Sequence, residues 1–245
     1  MATEMKKTTV LKNIKTSKTA RINLCRFGNV KAVSKSKTIF PFTNDVASEV
    51  EIHTKLAKIN LSPKILDFDT ALHSITFEYL EGSNDVANYD EQFLIKLGKA
   101  VKNLHLVDFQ DTTIGSFQQK IDAYRQIFLD ADDSSVLACF KLFDSLYDSS
   151  NNLVFSHNDI NVSNIFYGDD IRLIDWEYAG ANLPIYDIAS ITKSLKLDEH
   201  QTEIFLDSYD KKFDTSKIKS FELLISQVEY IWQKALNLTT NKNIL

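Results

Sequence analysis

Three oxygen-bearing side chains stand close together in the second half of the chain: Asp159, Asn164 five residues later, and Asp175. Two short apolar runs deliver them. Leu153-Val154-Phe155 leads into Ser156-His157-Asn158-Asp159, and Ile171-Arg172-Leu173-Ile174 leads into Asp175, with Gly168-Asp169-Asp170 between as a tight turn. The order is strand end, polar loop, short strand, turn, strand, acid. Strands buried in a core end at fixed positions, so polar groups just past them are held at the rim of a cleft. No cluster of histidine and cysteine stands beside these residues, which argues against zinc and for a hard cation, Mg²⁺ or Mn²⁺. Such sites keep positions open for phosphate oxygens, and a further acid that is not a ligand can accept a hydroxyl proton. A metal with a nearby base on a strand-end scaffold points to phosphoryl transfer.

The local wording carries a resemblance. His157-x-Asp159-x-x-x-x-Asn164, followed by Ile174-Asp175, is similar to the kinase catalytic loop and metal-binding acid. HNDINVSNI, then IDWEYAGAN and YDIA, resembles the choline/ethanolamine kinase branch of the aminoglycoside-phosphotransferase-like kinases. Across the chain the resemblance runs in order, but it is specific only over 153–189. It implies an α+β, protein-kinase-like two-lobed fold, with a small antiparallel-sheet N-lobe over residues 1–80 and a mostly helical C-lobe over 81–245. It also implies ATP and Mg²⁺. Asp159 is then the base that orients the acceptor hydroxyl and takes its proton, and Asn164 and Asp175 hold Mg²⁺ with Glu177 near the metal or the substrate cation. His157 and Asp187 brace the catalytic loop. Trp176 and Glu177 follow Asp175 where protein kinases have a DFG motif, so a protein substrate is disfavoured.

Chain totals set the class. The 245 residues are 44% hydrophobic and 25% charged, ordinary for a globular protein. No stretch approaches the apolar length of a membrane span, MATEMKKTTV lacks a secretory signal, and Cys25 and Cys139 are too few for a disulfide framework. These readings give a cytoplasmic protein without membrane insertion. Residues 1–80 carry 13 Lys+Arg against 7 Asp+Glu, net +6; residues 81–245 carry 15 against 26, net −11. A basic first part suits polyphosphate, and an acidic second part suits metal and a cationic substrate. With no clustered basic stripe, nucleic acid is not an expected partner.

The remaining elements position these groups. Arg21–Phe27 and Val30–Lys35 read as a hairpin about Gly28-Asn29, preceded by a polar N-terminus and a glycine-free loop, Lys15–Thr19, where the family covers the ATP phosphates. Alternation puts Lys31, Val33 and Lys35 on one face. The resemblance assigns the phosphate-binding lysine to Lys35, with Lys37 on the same face second. It assigns its helix partner to Glu49 rather than Glu51. A helix begins at Asn44-Asp45, and Lys64–Asp69 and Ser74–Tyr79 read as strands. Glu78, Tyr79 and Leu80 resemble the inter-lobe hinge whose backbone takes adenine. Helices are expected at 90–106, 117–129, 135–147, 184–194, 198–209 and 217–237. Aromatic faces hold quaternary ammonium groups, and Tyr178, Tyr186, Tyr230 and Trp232 are the candidates. The expected activity is transfer of the γ-phosphoryl to choline or ethanolamine. The alternatives are another small alcohol (thiamine, an aminoglycoside or a sugar) and a non-catalytic nucleotide-binding regulator. Oligomeric state and pathway are not legible in the sequence.

Overall fold

The computed structural model describes residues 8–82, 89–109, 114–130, 132–148 and 152–242. The first part is an antiparallel five-stranded sheet in the order β1-β2-β3-β5-β4, from β1 (Thr8–Thr16), β2 (Ala20–Phe27), β3 (Val30–Lys37), β4 (Ile65–Asp69) and β5 (Ser74–Glu78). Helix α1 (Val46–Ala57) lies between β3 and β4 in the chain. Its start is set by Asp45, whose side chain accepts from the Ser48 amide at 2.8 Å.

Strand β1 departs from the sequence reading. Thr8 and Thr9, within the polar N-terminal stretch, are already paired with β2, and the phosphate-loop stretch 15–19 is reduced to a tight turn in which Ser17 Oγ accepts from the Ala20 amide at 3.0 Å. Both faces of β1 are largely exposed, so its residues show no inside–outside pattern; backbone pairing holds it, with Asn13 Nδ2 donating across to Asn23 Oδ1 at 3.1 Å.

The second part contains helices α2 (Glu91–His105), α3 (Phe117–Ile127), α4 (Ser134–Leu146), α5 (Pro184–Leu195), α6 (Glu199–Tyr209) and α7 (Ile218–Lys242). Between α4 and α5 lie two small hairpin-like pairs. The strand β6 (Val154–Ser156) pairs with β9 (Gly180–Asn182), and β7 (Ile165–Tyr167) with β8 (Ile171–Leu173). This is the two-lobed architecture that the sequence implied.

The lobes do not have equal cores. The sheet has a small cluster of its own: Val46, Ile75 and Phe77, with Val50 and Ile65 against it. Phe40, Phe42, Ile52, Leu56 and Leu61 from the N-terminal part belong instead to the large core of the helical part. Phe42, for example, stacks on Tyr124 of α3 with ring centroids 4.8 Å apart. Ser62, just before Pro63, is buried with a partner: its hydroxyl lies 2.5 Å from His53 Nδ1. Burial and the nearby charge of Lys35 lower the His53 pKa to about 3, so it packs there as a neutral ring.

After β5 the chain crosses to the helical part through Gly82, at φ +133°. A Cβ there would lie 2.6 Å from the Tyr167 carbonyl oxygen. Glycine is required for both reasons. Gly82→Ala is expected to destabilise the protein by about 2 kcal/mol, lowering Tm by about 4–8 °C in a thermal melt.

Candidate active site

The chemistry-bearing loop is built on β6, whose pairing with β9 fixes where Ser156 ends and His157 begins. Asp187, in the first turn of α5, is fully buried and collects the loop's backbone. Its Oδ2 accepts from the His157 amide and its Oδ1 from the Asn158 amide, both at 2.9 Å. His105 Nε2 lies 3.2 Å from the same Oδ2, while its Nδ1 lies 2.8 Å from the Tyr209 hydroxyl. Asn158 takes a left-handed backbone, φ 65°, a region asparagine tolerates better than most residues. Its side-chain Nδ2 donates to the Tyr178 carbonyl at 2.9 Å.

His157 joins the two halves of the motif. Its Nε2 donates to the Ile174 carbonyl at 2.9 Å and its ring lies 4.4 Å from that of Trp176. Burial lowers its pKa, consistent with a neutral ring whose Nδ1 has no hydrogen-bond partner among the described residues. The Ile174 amide donates back to the Asn164 carbonyl at 3.0 Å. Asp175 then adopts φ 69°, ψ 63°, which turns its carboxylate out of the strand line.

Asp159 is gripped by two asparagines. Asn164 Nδ2 donates to its Oδ2 at 2.9 Å, and Asn161 Nδ2 to its Oδ1 at 3.1 Å. Burial, followed by the charge of Asp175, raises its pKa to about 7. Behind it lies an ionic cluster. Lys35 Nζ lies 2.5 Å from Asp175 Oδ1, 3.4 Å from Glu177 Oε2 and 3.5 Å from Glu49 Oε2. Lys37 ion-pairs with Glu49 more closely, donates to the Asn44 carbonyl at 2.9 Å, and lies 3.5 Å from Glu177. Both lysines therefore enter the site from one face of β3. Glu51 instead pairs with Lys55 on the outside of α1. Burial alone would raise the Asp175 carboxyl, but Lys35 more than offsets it and holds it below the usual range. In Glu177 burial prevails and the pKa is raised.

Asp159, Asn164, Asp175 and Glu177 all line one cavity of about 450 Å³. Tyr178, Tyr186 and Trp232 line it too, and Trp232 Nε1 donates to the Tyr178 hydroxyl at 2.8 Å. Tyr230 does not. Ile225, Val228, Glu229 and Trp232 share the inward face of α7, and at 100° per residue Tyr230 turns away from it. Its side chain is 39% exposed under the Lys234 ammonium. Glu78, Tyr79 and Leu80 sit at the end of β5 and line none of this cavity. The Glu78 carboxylate is engaged by the Lys64 amide at 2.9 Å, and Lys31 Nζ lies 3.4 Å from the Tyr79 ring centroid.

Sequence reasoning missed several participants, among them Asn161 on the loop and three residues of one helix. Phe117, Lys120 and Tyr124 on α3 line the cavity. Their i, i+3, i+7 spacing was the available signal. Lys15 and Thr19 also line it, and Lys18 Nζ reaches Asn237 Oδ1 at 2.8 Å, so the β1–β2 turn spans to α7.

The fold is that of the kinase-like phosphotransferases. A profile described as the phosphotransferase enzyme family (APH) matches residues 31–221, and the chain belongs to that family. Protein LicA of Haemophilus influenzae is 26% identical over 167 residues, spanning 62% of this chain and 61% of LicA, less than two thirds of that relative's length. Among solved structures, choline kinase LicA from Streptococcus pneumoniae superposes with a TM-score of 0.72 at 18% identity, covering 96% of this chain and 86% of that one. A spectinomycin phosphotransferase in complex with ADP and spectinomycin gives 0.66 at 14% identity, over 94% and 81%. No helix among the described residues is long and apolar enough to cross a membrane.

Two outcomes are expected. In nucleotide-free protein, carboxyl NMR will show a side chain titrating near pH 7 that disappears in Asp159→Asn. Because the raised pKa keeps the proton on below that point, any proton-accepting role fades as pH falls through about 7. Asp187→Ala strands two loop amides and His105, and should cost roughly 3 kcal/mol, about 6–12 °C in Tm.

Proposed function

We propose that this chain is an ATP-dependent small-molecule kinase that transfers the γ-phosphoryl group to the hydroxyl of choline or ethanolamine. The observation that carries the reading is the convergence of Asp159, Asn164, Asp175 and Glu177 on a single cavity walled by aromatic rings. A regulator that only binds nucleotide has no use for a buried base beside oxygen ligands.

Asp159 accepts the acceptor's hydroxyl proton at one carboxylate oxygen while Asn161 and Asn164 hold its orientation. Asn164, Asp175 and Glu177 form an all-oxygen donor set that suits Mg²⁺, and the Lys35 ammonium at 2.5 Å from Asp175 already marks that carboxylate as a seat for a cation. When bound, the metal supplies charge neutralisation for the polyphosphate. Lys35 reaches the phosphates and is backed by Glu49, which Lys37 anchors. Tyr79 and Leu80, with Glu78, offer backbone groups to adenine. The neighbours described as bound to ADP and as a choline kinase support the nucleotide and the acceptor respectively. His157 and Asp187 keep the loop in register without touching the reacting atoms.

A second reading is a kinase of another alcohol. Tyr230 lies outside the aromatic wall and a lysine, Lys120, lies within it. Both features loosen the fit to a quaternary ammonium.

The test is ADP release from Mg-ATP against choline, ethanolamine, thiamine, aminoglycosides and simple sugars. Choline- or ethanolamine-dependent turnover is expected, falling by at least about 10²-fold in Asp159→Ala. Turnover of a sugar or antibiotic alone would replace the acceptor named here, and a variant as active as the wild type would remove Asp159 from its role.

A further inference from the structure

The mechanism above leaves Lys120 unused. It lies on α3, whose first turn is fixed by a capping box between Ser116 and Gln119, so its backbone position is firm. The residue is 8% exposed and lines the cavity between Phe117 and Tyr124. Among the described residues its ammonium makes one hydrogen bond, to Asn44 Oδ1 at 2.9 Å. That oxygen cannot swap with the amide nitrogen, because Asn44 Nδ2 donates to the Trp176 and Ala179 carbonyls at 3.0 and 2.9 Å.

The other lysines at this site are differently placed. Lys35 and Lys37 have carboxylates against them, and Lys193 lies 2.7 Å from Glu229. Lys120 has a neutral partner and spare donor capacity, since an ammonium carries three protons. A buried charge of this kind needs a partner with lone pairs, and a trimethylammonium group has none. The aromatic rings that line the same cavity would attract a ligand cation, but the chain has already placed a cation of its own on that wall.

We propose that Lys120 is a specificity-determining residue of the acceptor site. Its buried ammonium gives the aromatic-lined wall of the cavity a positive charge and spare donors, which disfavours a quaternary ammonium and favours an acceptor presenting a lone pair there, from a hydroxyl oxygen. The assignment rests on reading this cavity as the acceptor site. Burial and the charge of Lys37 lower the lysine's pKa to about 8, so below that pH the group is still cationic.

The experiment uses the full chain as wild type, Lys120→Met and Lys120→Arg. Calorimetry measures binding of choline and of its uncharged isostere 3,3-dimethylbutan-1-ol, with kcat/KM for choline and ethanolamine run in parallel. Lys120→Met should tighten choline by about 10- to 50-fold, the effect of removing a like charge at an effective dielectric of about 20. The isostere should stay within about 2-fold, since it has no charge for the dielectric to act on. Lys120→Arg should keep the wild-type discrimination. Lys120→Gln, which keeps a donor for Asn44, replaces the methionine variant if that one does not fold. The proposal is overturned if choline affinity is unchanged or weaker, or if choline and the isostere shift together, which would make Lys120 a packing residue. A charge-dependent gain in choline binding with no turnover of either alcohol would sink the choline/ethanolamine reading and leave the role of Lys120 standing.

Discussion

Two lysines and three carboxylates share one largely buried site, and most of the architecture serves to bring them there. Lys35 and Lys37 come from β3, Glu49 from α1, and Asp175 and Glu177 from the segment after β8. A buried charge is costly without its partner, so each element's position is conditional on the others. Glu49 is fully buried between the two ammonium groups, and Asn44 ties the same region down from a different direction by bonding to the carbonyls of Trp176 and Ala179. The cluster is thus a registration device between the sheet and the helical part, and it meets the cavity through Asp175 and Glu177.

A second, separate network does the same for the catalytic loop. Asp187 stands on a helix and gathers two successive loop amides, while His157 clips the loop to the carbonyl before Asp175. Asp159 and Asn164 lie on one side of that clip in the chain, Asp175 and Glu177 on the other. The left-handed backbones of Asn158 and Asp175 flank it and are held in place by these bonds. The result is a short polar loop with little freedom, set at the end of strands that are only three residues long.

How much of this was legible in the sequence follows from where information is stored along a chain. The segment 153–187 could be read because strand ends, turn residues and acids occur at fixed spacings within it. The pairing of Glu49 rather than Glu51 with the lysines followed from the family's spacing, and it also follows from the helix face that carries Ile52 and Leu56. Strand β1 could not be read, because a strand exposed on both faces has no alternation to show. Tyr230 was misplaced because similarity to a motif on the last helix carries no helical phase, whereas one position of rotation decides between cavity and solvent. Lys35 and Lys37 could not be ranked from parity, and the structure shows why: both side chains enter the cluster. Lys120 had a weak signal, a lysine on an otherwise apolar face, which reads equally as a helix edge.

The division of the core also bears on how the molecule can open. Phe40, Phe42, Ile52, Leu56 and Leu61 are sunk in the core of the helical part, so the sheet is pinned along the α1 side. At the opposite rim, among the described residues, the polar tie from the β1–β2 turn to α7 is an exposed one, Lys18 to Asn237, bridging 219 residues of sequence. One side behaves as a hinge pin and the other as a clasp. Of the two, the solvent-exposed clasp is the cheaper to release, so the mouth beside Trp232 is the edge from which the cavity would exchange its contents.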